Sequence, residues 1–429
     1  MAEHQVPDGK IVRGCVVRLE PTPEQSAKFR RDCGARRFAA NWAVAQIKAS
    51  FDDGAETGGY DSAMWSAYSL RKRWNQAKGE IAPWWAECSK EAYSDGLAAA
   101  VTALQNWQAS KTGKREGPKM RFPRFRKKTK DPLRCTYTTG ALRVEGSRSV
   151  VLPGAGRVCT SENIRPLWRH IRRGTGRVLS ATIREKAGHW YVSLKLEIDR
   201  KRQPGPRAGV AGVDLGIGRD LLIVMRPGGA VAGKVPNPRA LRASLAEVAR
   251  ANRALARKQE GSPRWRDARR RLARIHARAA NLRNDAVHQA TTRLAKTHGQ
   301  VVIEDLAPRQ HLRGLRSHRK SWADAAAGEI RRQLVYKCGW YGTELWVADK
   351  WYPSSKTCSA CGHVSTALTL ADRKWACPAC ASTHDRDENA GTNLARLPAS
   401  QAEAQSDGKT GLARRVAVKR VNHLGKVAA

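Results

Sequence analysis

Acidic residues are scarce in this sequence: 38 Asp and Glu stand against 79 Lys and Arg, a formal net charge of +41. That imbalance excludes an ordinary metabolic enzyme as the default reading. It leaves nucleic acid, an anionic membrane or another polyanion as the partner. Long hydrophobic runs are missing too. The longest small-apolar stretch, around Leu97 to Leu104, is far too short to span a bilayer, and the opening MAEHQVPDGK has no apolar signal core. A soluble cytoplasmic protein with no membrane partner is expected. There is no tandem repeat, and no tyrosine nucleophile with a His-hydrophobic-His motif of the kind a DNA-strand transferase needs. Apolar content is not lacking. At 41% it suffices to bury a core, which excludes a wholly disordered basic chain. The 429 residues correspond to two to four domains at roughly 100–200 residues each.

Ten cysteines are unevenly placed. Cys15, Cys33, Cys88, Cys135, Cys159 and Cys338 are scattered singly and read as small buried residues of a reducing compartment. The other four form two pairs, Cys358/Cys361 and Cys377/Cys380, with fifteen residues between them. This is zinc-ribbon spacing: two thiolate pairs can meet at the corners of one tetrahedron and hold one structural Zn²⁺.

Residues 11–20 read as a strand. Thr22, Pro23 and Gln25 then form a capping box with proline at the first helical position. From 23 to about 119 the chain is helical in character and carries Trp42, Trp65, Trp74, Trp84, Trp85 and Trp107, read as packing residues of a bundle. KMRFPRFRKKTK, at 119–130, is densely basic, with Phe122 and Phe125 interleaved. Residues 133–200 read as β, most clearly where Val192, Leu194, Leu196 and Ile198 alternate with polar neighbours. A helical block between a first strand and a later β region is the pattern of an insertion into a β-barrel. After a linker ending near Gly209 come short glycine-joined strands. A basic helical hairpin over 239–297, broken at Gly261-Ser262-Pro263, precedes the strand GQVVIEDL. A helix near 324–341, the strand ELWVADKW, the cysteine pairs and a short capped helix in HDRDENAGTNLARL follow. The fold class is α+β, multidomain.

In so basic a chain, acids inside apolar strands stand out. Asp214 lies within GVDLG, Glu304 ends VVIE, and Asp387 opens the final helix. Unbalanced carboxylates in such places are costly without a cation. A strand Asp, a later strand-end Glu and a terminal-helix Asp are in the order used by ribonuclease-H-like nucleases. There the three acids hold two Mg²⁺ ions about 3.5–4 Å apart, one activating water and one stabilising the leaving 3′ oxygen. Asp305 and Asp385 are the local competitors for Glu304 and Asp387.

These residues are where the chain resembles TnpB, the transposon-encoded RNA-guided nuclease family related to miniature type V CRISPR effectors. The matching pieces are GVDLG at 212–216, IEDL at 303–306, YPSSKTCSACG at 352–362, CPAC at 377–380, HDRDENAGTNL at 384–394, FPRFRKK at 122–128 and VVRLEPTPEQ at 16–25. The resemblance implies a wedge β-barrel from 1–21 and 119–205 with a helical recognition lobe at 22–118. It further implies a RuvC nuclease domain from 206–352 and 384–398, a zinc ribbon at 353–383 and a disordered basic tail at 399–429. Asp214, Glu304 and Asp387 then become the Mg²⁺-binding catalytic triad, and Cys358, Cys361, Cys377 and Cys380 the zinc ligands. Lys119, Arg121, Arg124, Arg126, Lys127 and Lys128 become nucleic-acid contacts. The implied partners are a guide RNA and target double-stranded DNA, with the protein a monomer that joins the nucleoid when bound to DNA. Two positions depart from the family: Ala381 stands where a glycine is usual, and Gly391 where an alanine is usual. The motifs do not separate a transposon nuclease from a miniature CRISPR effector. The alternative function is an RNA-guided repressor of the same fold without cleavage.

Overall fold

The computed structural model describes residues 9–57, 65–115, 117–138, 142–199, 209–305, 316–369, 371–406 and 419–421. The chain divides into two compact units, Met1–Arg200 and Lys201–Ala429. Most of the expected linker before Gly209 lies outside the described residues.

In the first unit, β1 (Lys10–Glu20) leads into α1 (Pro23–Thr57) through the expected capping box. The Thr22 amide donates to Gln25 Oε1 at 3.0 Å and the Gln25 amide to Thr22 Oγ1 at 3.2 Å. Two more helices follow, α2 (Ala67–Ile81) and α3 (Lys90–Lys111), N-capped by Ser66 and Ser89. The remaining strands are β2 (Arg134–Tyr137), β3 (Arg143–Val144), β4 (Ser149–Leu152), β5 (Gly156–Thr160), β6 (Gly176–Lys186) and β7 (His189–Asp199), with the short helix α4 (Arg165–Arg172) before β6. They form one antiparallel sheet in the order β2-β6-β7-β1-β5-β4-β3. The first strand therefore sits mid-sheet between β7 and β5, and the three helices are inserted between it and β2.

The expected barrel is not closed by hydrogen bonds. Among the described residues no pair joins β2 to β3, and β3, two residues long, is too short for a closing ladder. Helices and sheet share one core: Phe29, Ile47, Leu97 and Leu104 cluster with Val192, Leu194 and Leu196, and Phe29 meets Trp190 edge-on at 5.1 Å. Trp65 and Trp74 are buried, and Trp42 and Trp107 pack against the same core. Trp84 and Trp85 stay 37% exposed. Of the six scattered cysteines, Cys159 is exposed, contrary to the expectation of burial, because its side of β5 faces outward.

The second unit is built on a six-stranded mixed sheet. Its strands are β8 (Val210–Leu215), β9 (Asp220–Met225), β10 (Val231–Pro236), β11 (Gln300–Glu304), β12 (Glu344–Ala348) and a last strand, Lys419–Val421. Their order is β10-β9-β8-β11-β12 followed by Lys419–Val421, and β11 runs parallel to both β8 and β12. The basic hairpin comprises α5 (Ala240–Ala243), α6 (Leu245–Ala256) and α7 (Pro263–Thr297), the last N-capped by Ser262. The helix expected near 324–341 is two helices, α8 (Arg316–Ala325) and α9 (Ala327–Tyr341), broken at Ala326, whose φ of 51° no helix accommodates.

One face of the sheet packs Ala211, Val213, Val301, Ile303, Leu345 and Val347 against Val287 and Leu294 of α7 and Ile330 and Leu334 of α9. On the other face Val302 and Ala348 pack with Leu394 and Leu397 of α10 (Arg386–Ser406). The hairpin β13 (Lys374–Ala376) and β14 (Thr383–Asp385) carries the second cysteine pair between its strands. The expected tail is corrected in two places: α10 continues through Ser406, and Lys419–Val421 pairs with β12. Residues 407–418 and 422–429 lie outside the described residues.

Candidate active site and metal centre

Strand alternation sorts the acids. Val213 and Ile303 belong to the face covered by α7 and α9, so the next residue of each strand, Asp214 and Glu304, points to the face covered by α10. Val213 is in register with Ile303 across the parallel β8/β11 pair, so Asp214 and Glu304 leave adjacent strand ends side by side. Helix α10 supplies Asp387 in its first turn. The three carboxylates are half-buried and sense one another. Burial raises the Asp214 carboxyl well above its ordinary range, and the charges of Glu304 and Asp387 push it the same way. Burial also raises Glu304, against the Ser354 hydroxyl bond that holds it down. Burial raises Asp387, opposed by Arg373. Three acids whose ionisation the fold resists offer the oxygen ligands that a hard divalent cation prefers.

The competitor acids separate on geometry. Asp305, one residue past Glu304, takes the opposite direction and pairs with Arg331. Asp385 is a helix cap: its Oδ1 accepts the Asp387 and Glu388 amides at 3.1 and 3.2 Å.

Several residues around the site were not singled out by the sequence. Arg373 Nη1 donates to both Asp387 oxygens, at 3.3 and 3.2 Å. Ser354 donates a short bond to Glu304 Oε1. The loop bearing Ser354 is held by α10: Asn393 Nδ2 donates to the Ser354 and Thr357 carbonyls at 2.8 and 2.6 Å, and Asn389 Nδ2 to Thr357 at 2.7 Å. The Ser359 amide donates back to Asn389 Oδ1 at 2.9 Å. The available signal was the i, i+4 spacing of Asn389 and Asn393 in the final helix.

Beside this loop the four ribbon sulfurs lie within 4.8 Å of one another. Cys358 and Cys380 are 3.7 Å apart and Cys361 and Cys377 3.6 Å, near the roughly 3.8 Å edge of a tetrahedron built on Zn–S bonds of about 2.3 Å. The cluster fits a structural zinc ion. His384 Nε2 approaches Cys358 Sγ to 3.1 Å, so an imidazole adjoins the centre as well.

The basic stretch at 119–130 has no helix or strand. Lys119, Arg121, Lys127 and Lys128 are exposed. Arg124 is exposed too but bridges to Asp131 at 3.0 Å, and Arg126 is half-buried, with its backbone clasped by Asn41 at 2.7 and 3.0 Å. Phe122 packs against Phe51 and Trp107, whereas Phe125 is 50% exposed.

The mixed sheet, the three acids at its α10 face and the four-thiol cluster beside them are those of a ribonuclease-H-like domain carrying a four-cysteine ribbon. The chain belongs to the TnpB/InsQ family. Three family models match it: "Probable transposase" over residues 193–313, the "Cas12f1-like, TNB domain" over 328–394 and a "Helix-turn-helix domain" over 12–54. A "Putative RNA-guided DNA endonuclease" of Mycobacterium tuberculosis is 43% identical, over 92% of this chain and 88% of the relative. A Streptomyces pristinaespiralis protein of the same description is 33% identical over 90% and 89% of the two chains. InsQ of Escherichia coli is 27% identical over 88% and 90%. Among solved structures, a Cas12f1-sgRNA-target DNA complex aligns at TM-score 0.48 and 12% identity, over 90% of this chain and 99% of that one.

Proposed function

We propose that the protein is an RNA-guided DNA endonuclease: a guide RNA base-pairs with one strand of a target duplex, and Asp214, Glu304 and Asp387 form the hydrolytic centre. The observation that carries this reading is the gathering of exactly those half-buried acids on one face of the sheet, with Asp214 raised by burial and by the other two. Two Mg²⁺ ions held by these carboxylates would supply an activated water and charge neutralisation at the leaving 3′ oxygen. The protein's own groups prepare the place. Ser354 fixes the Glu304 rotamer, Asp385 caps α10 so that its first turn presents Asp387, and Arg373 balances Asp387 until a cation does. Cys358, Cys361, Cys377 and Cys380 would hold a Zn²⁺ that staples the loop carrying Ser354. The exposed cations of 119–128 serve as backbone contacts to nucleic acid. Sequence is read by base pairing, not by side chains.

The test is guide-directed cleavage of a target duplex in Mg²⁺. Asp214→Ala should abolish cleavage while leaving target binding nearly intact. Cleavage at the wild-type rate by that variant removes the nuclease assignment and leaves an RNA-guided repressor.

A further inference from the structure

The first unit contains a second concentration of charge, which shares only Arg126 with the basic stretch singled out by sequence. A cavity of about 170 Å³ lies between α1 and residues 126–134, lined by Arg36, Arg37, Arg126 and Arg134 with Asp131. Its charges do not cancel. Arg36 is spent on Asp95, which its Nε meets at 2.6 Å, while the Asp131 carboxylate is taken by Arg124 and by the Lys127 amide. Arg37, Arg126 and Arg134 have no ion pair among the described residues. Burial and the nearby Arg36 lower the ionisation of Arg126, and Asp131 and Asp95 offset this only in part.

Arg37 also lines a neighbouring open groove of about 350 Å³ with Phe38 and Trp84, where Arg31 and Arg37 outnumber the one acid, Glu87. Phe38 buttresses Trp84 edge-on at 5.4 Å, so the exposed part of the indole is held rigidly. A cluster of unpaired guanidiniums beside a propped aromatic face is the arrangement that takes a phosphate and the base next to it.

We propose that this cavity and groove form a nucleotide seat for single-stranded nucleic acid, in which Arg37, Arg126 and Arg134 hold a backbone phosphate and Trp84 stacks on an adjoining base. A duplex interior is disfavoured: its bases are stacked on each other, and only the end pairs offer Trp84 a free face. The source of the strand is RNA or a displaced DNA strand, which share the phosphate and the base plane.

The seat does not rest on the nuclease reading, since the assay reads binding alone and can be run in the Asp214→Ala background. Full-length protein freed of RNA is titrated with labelled oligouridylate, oligothymidylate and a short DNA duplex across a salt series. Arg37→Ala combined with Arg134→Ala should weaken binding of the preferred single strand about tenfold. It should also flatten its log–log salt slope by about 0.7, one single-strand phosphate. Trp84→Ala should weaken the same binding by a similar factor with the slope unchanged, because stacking releases no counterion. The preferred oligonucleotide identifies the source. Duplex binding should change far less in both variants. The double arginine variant should melt no lower than the parent without nucleic acid, since it relieves like-charge crowding. Unchanged single-strand affinity and slope would overturn the seat, as would equal losses for duplex and single strand.

Discussion

Gly212 of β8 and Gly391 of α10 are in backbone contact: a methyl placed on Gly212 would lie 1.9 Å from the Gly391 carbonyl oxygen and 2.4 Å from the Ala395 amide nitrogen. That crossing sets the site. Asp214 is two residues beyond Gly212 on the same strand face, and Asp387 is about one helical turn before Gly391. The room on the other side of Gly391 is filled by Met225 of β9, whose Cγ would be 2.6 Å from a Cβ at position 391. Glycine at 391 is thus matched by a long neighbour.

Gly212→Ala should therefore cost more than the about 1–3 kcal/mol of ordinary overpacking, because the obstructing atoms are backbone. Gly391→Ala meets a movable side chain instead. It should gain about 1 kcal/mol of helix propensity and lose more than that against Met225. Urea unfolding of Gly391→Ala, Met225→Val and the double variant should give a favourable coupling of about 1 kcal/mol. Additive effects would mean the methionine does not set the residue at 391.

The acids were legible because a carboxylate inside an apolar strand violates burial rules, and period-two alternation alone puts Asp214 and Glu304 on one face. What the sequence left open was which of two neighbouring acids counts. Glu304, and not Asp305, shares the Val302 face with α10, a tertiary fact with no local signature. The open sheet was illegible for a similar reason: closure depends on how far β3 extends, and turn-rich segments carry little periodicity. The length of α10 was underestimated because Pro398 reads as a stop, yet the helix runs through it.

Asp385 and Asp387 should fail differently. Asp387→Ala should abolish cleavage with little loss of stability, since it removes one of three crowded charges. Asp385→Ala removes the cap of α10 and should lower stability by about 1 kcal/mol while retaining more cleavage than Asp387→Ala. Thermal melts and cleavage rates on both variants check the assignment; equal abolition of cleavage would place Asp385 in the chemistry.

The raised acids give stability a pH dependence of defined sign. Each has a folded pKa above its unfolded value of about 4, so between the two the native state binds more protons than the unfolded chain. Their contribution to metal-free stability is unperturbed below that value and becomes unfavourable as pH rises through the folded pKa. Divalent cations need the ionised forms, so Mg²⁺ should raise the melting temperature more at about pH 8 than at about pH 5. Asp214→Asn should stabilise the metal-free protein at the higher pH and shrink the Mg²⁺ increment. A Mg²⁺ effect independent of pH would deny the cluster its role.

The ribbon holds the most local prediction. Its two knuckles repeat one geometry: the Gly362 amide donates to the Cys358 carbonyl and the Ala381 amide to the Cys377 carbonyl, both at 2.9 Å. The residue after each second cysteine is left-handed, with φ of 79° at Gly362 and 59° at Ala381. Glycine adopts that conformation freely, whereas alanine bears about 1–2 kcal/mol of strain there. Ala381→Gly removes the strain but gives the unfolded chain more freedom, worth about 0.5–1 kcal/mol in the other direction. The net gain should be up to about 1.5 kcal/mol, which at a zinc knuckle appears as tighter metal retention. Zinc release to a chromophoric chelator should slow in Ala381→Gly, and the mirror change Gly362→Ala should speed it. If Ala381→Gly released zinc faster than the parent, the alanine would be stabilising the knuckle and not straining it.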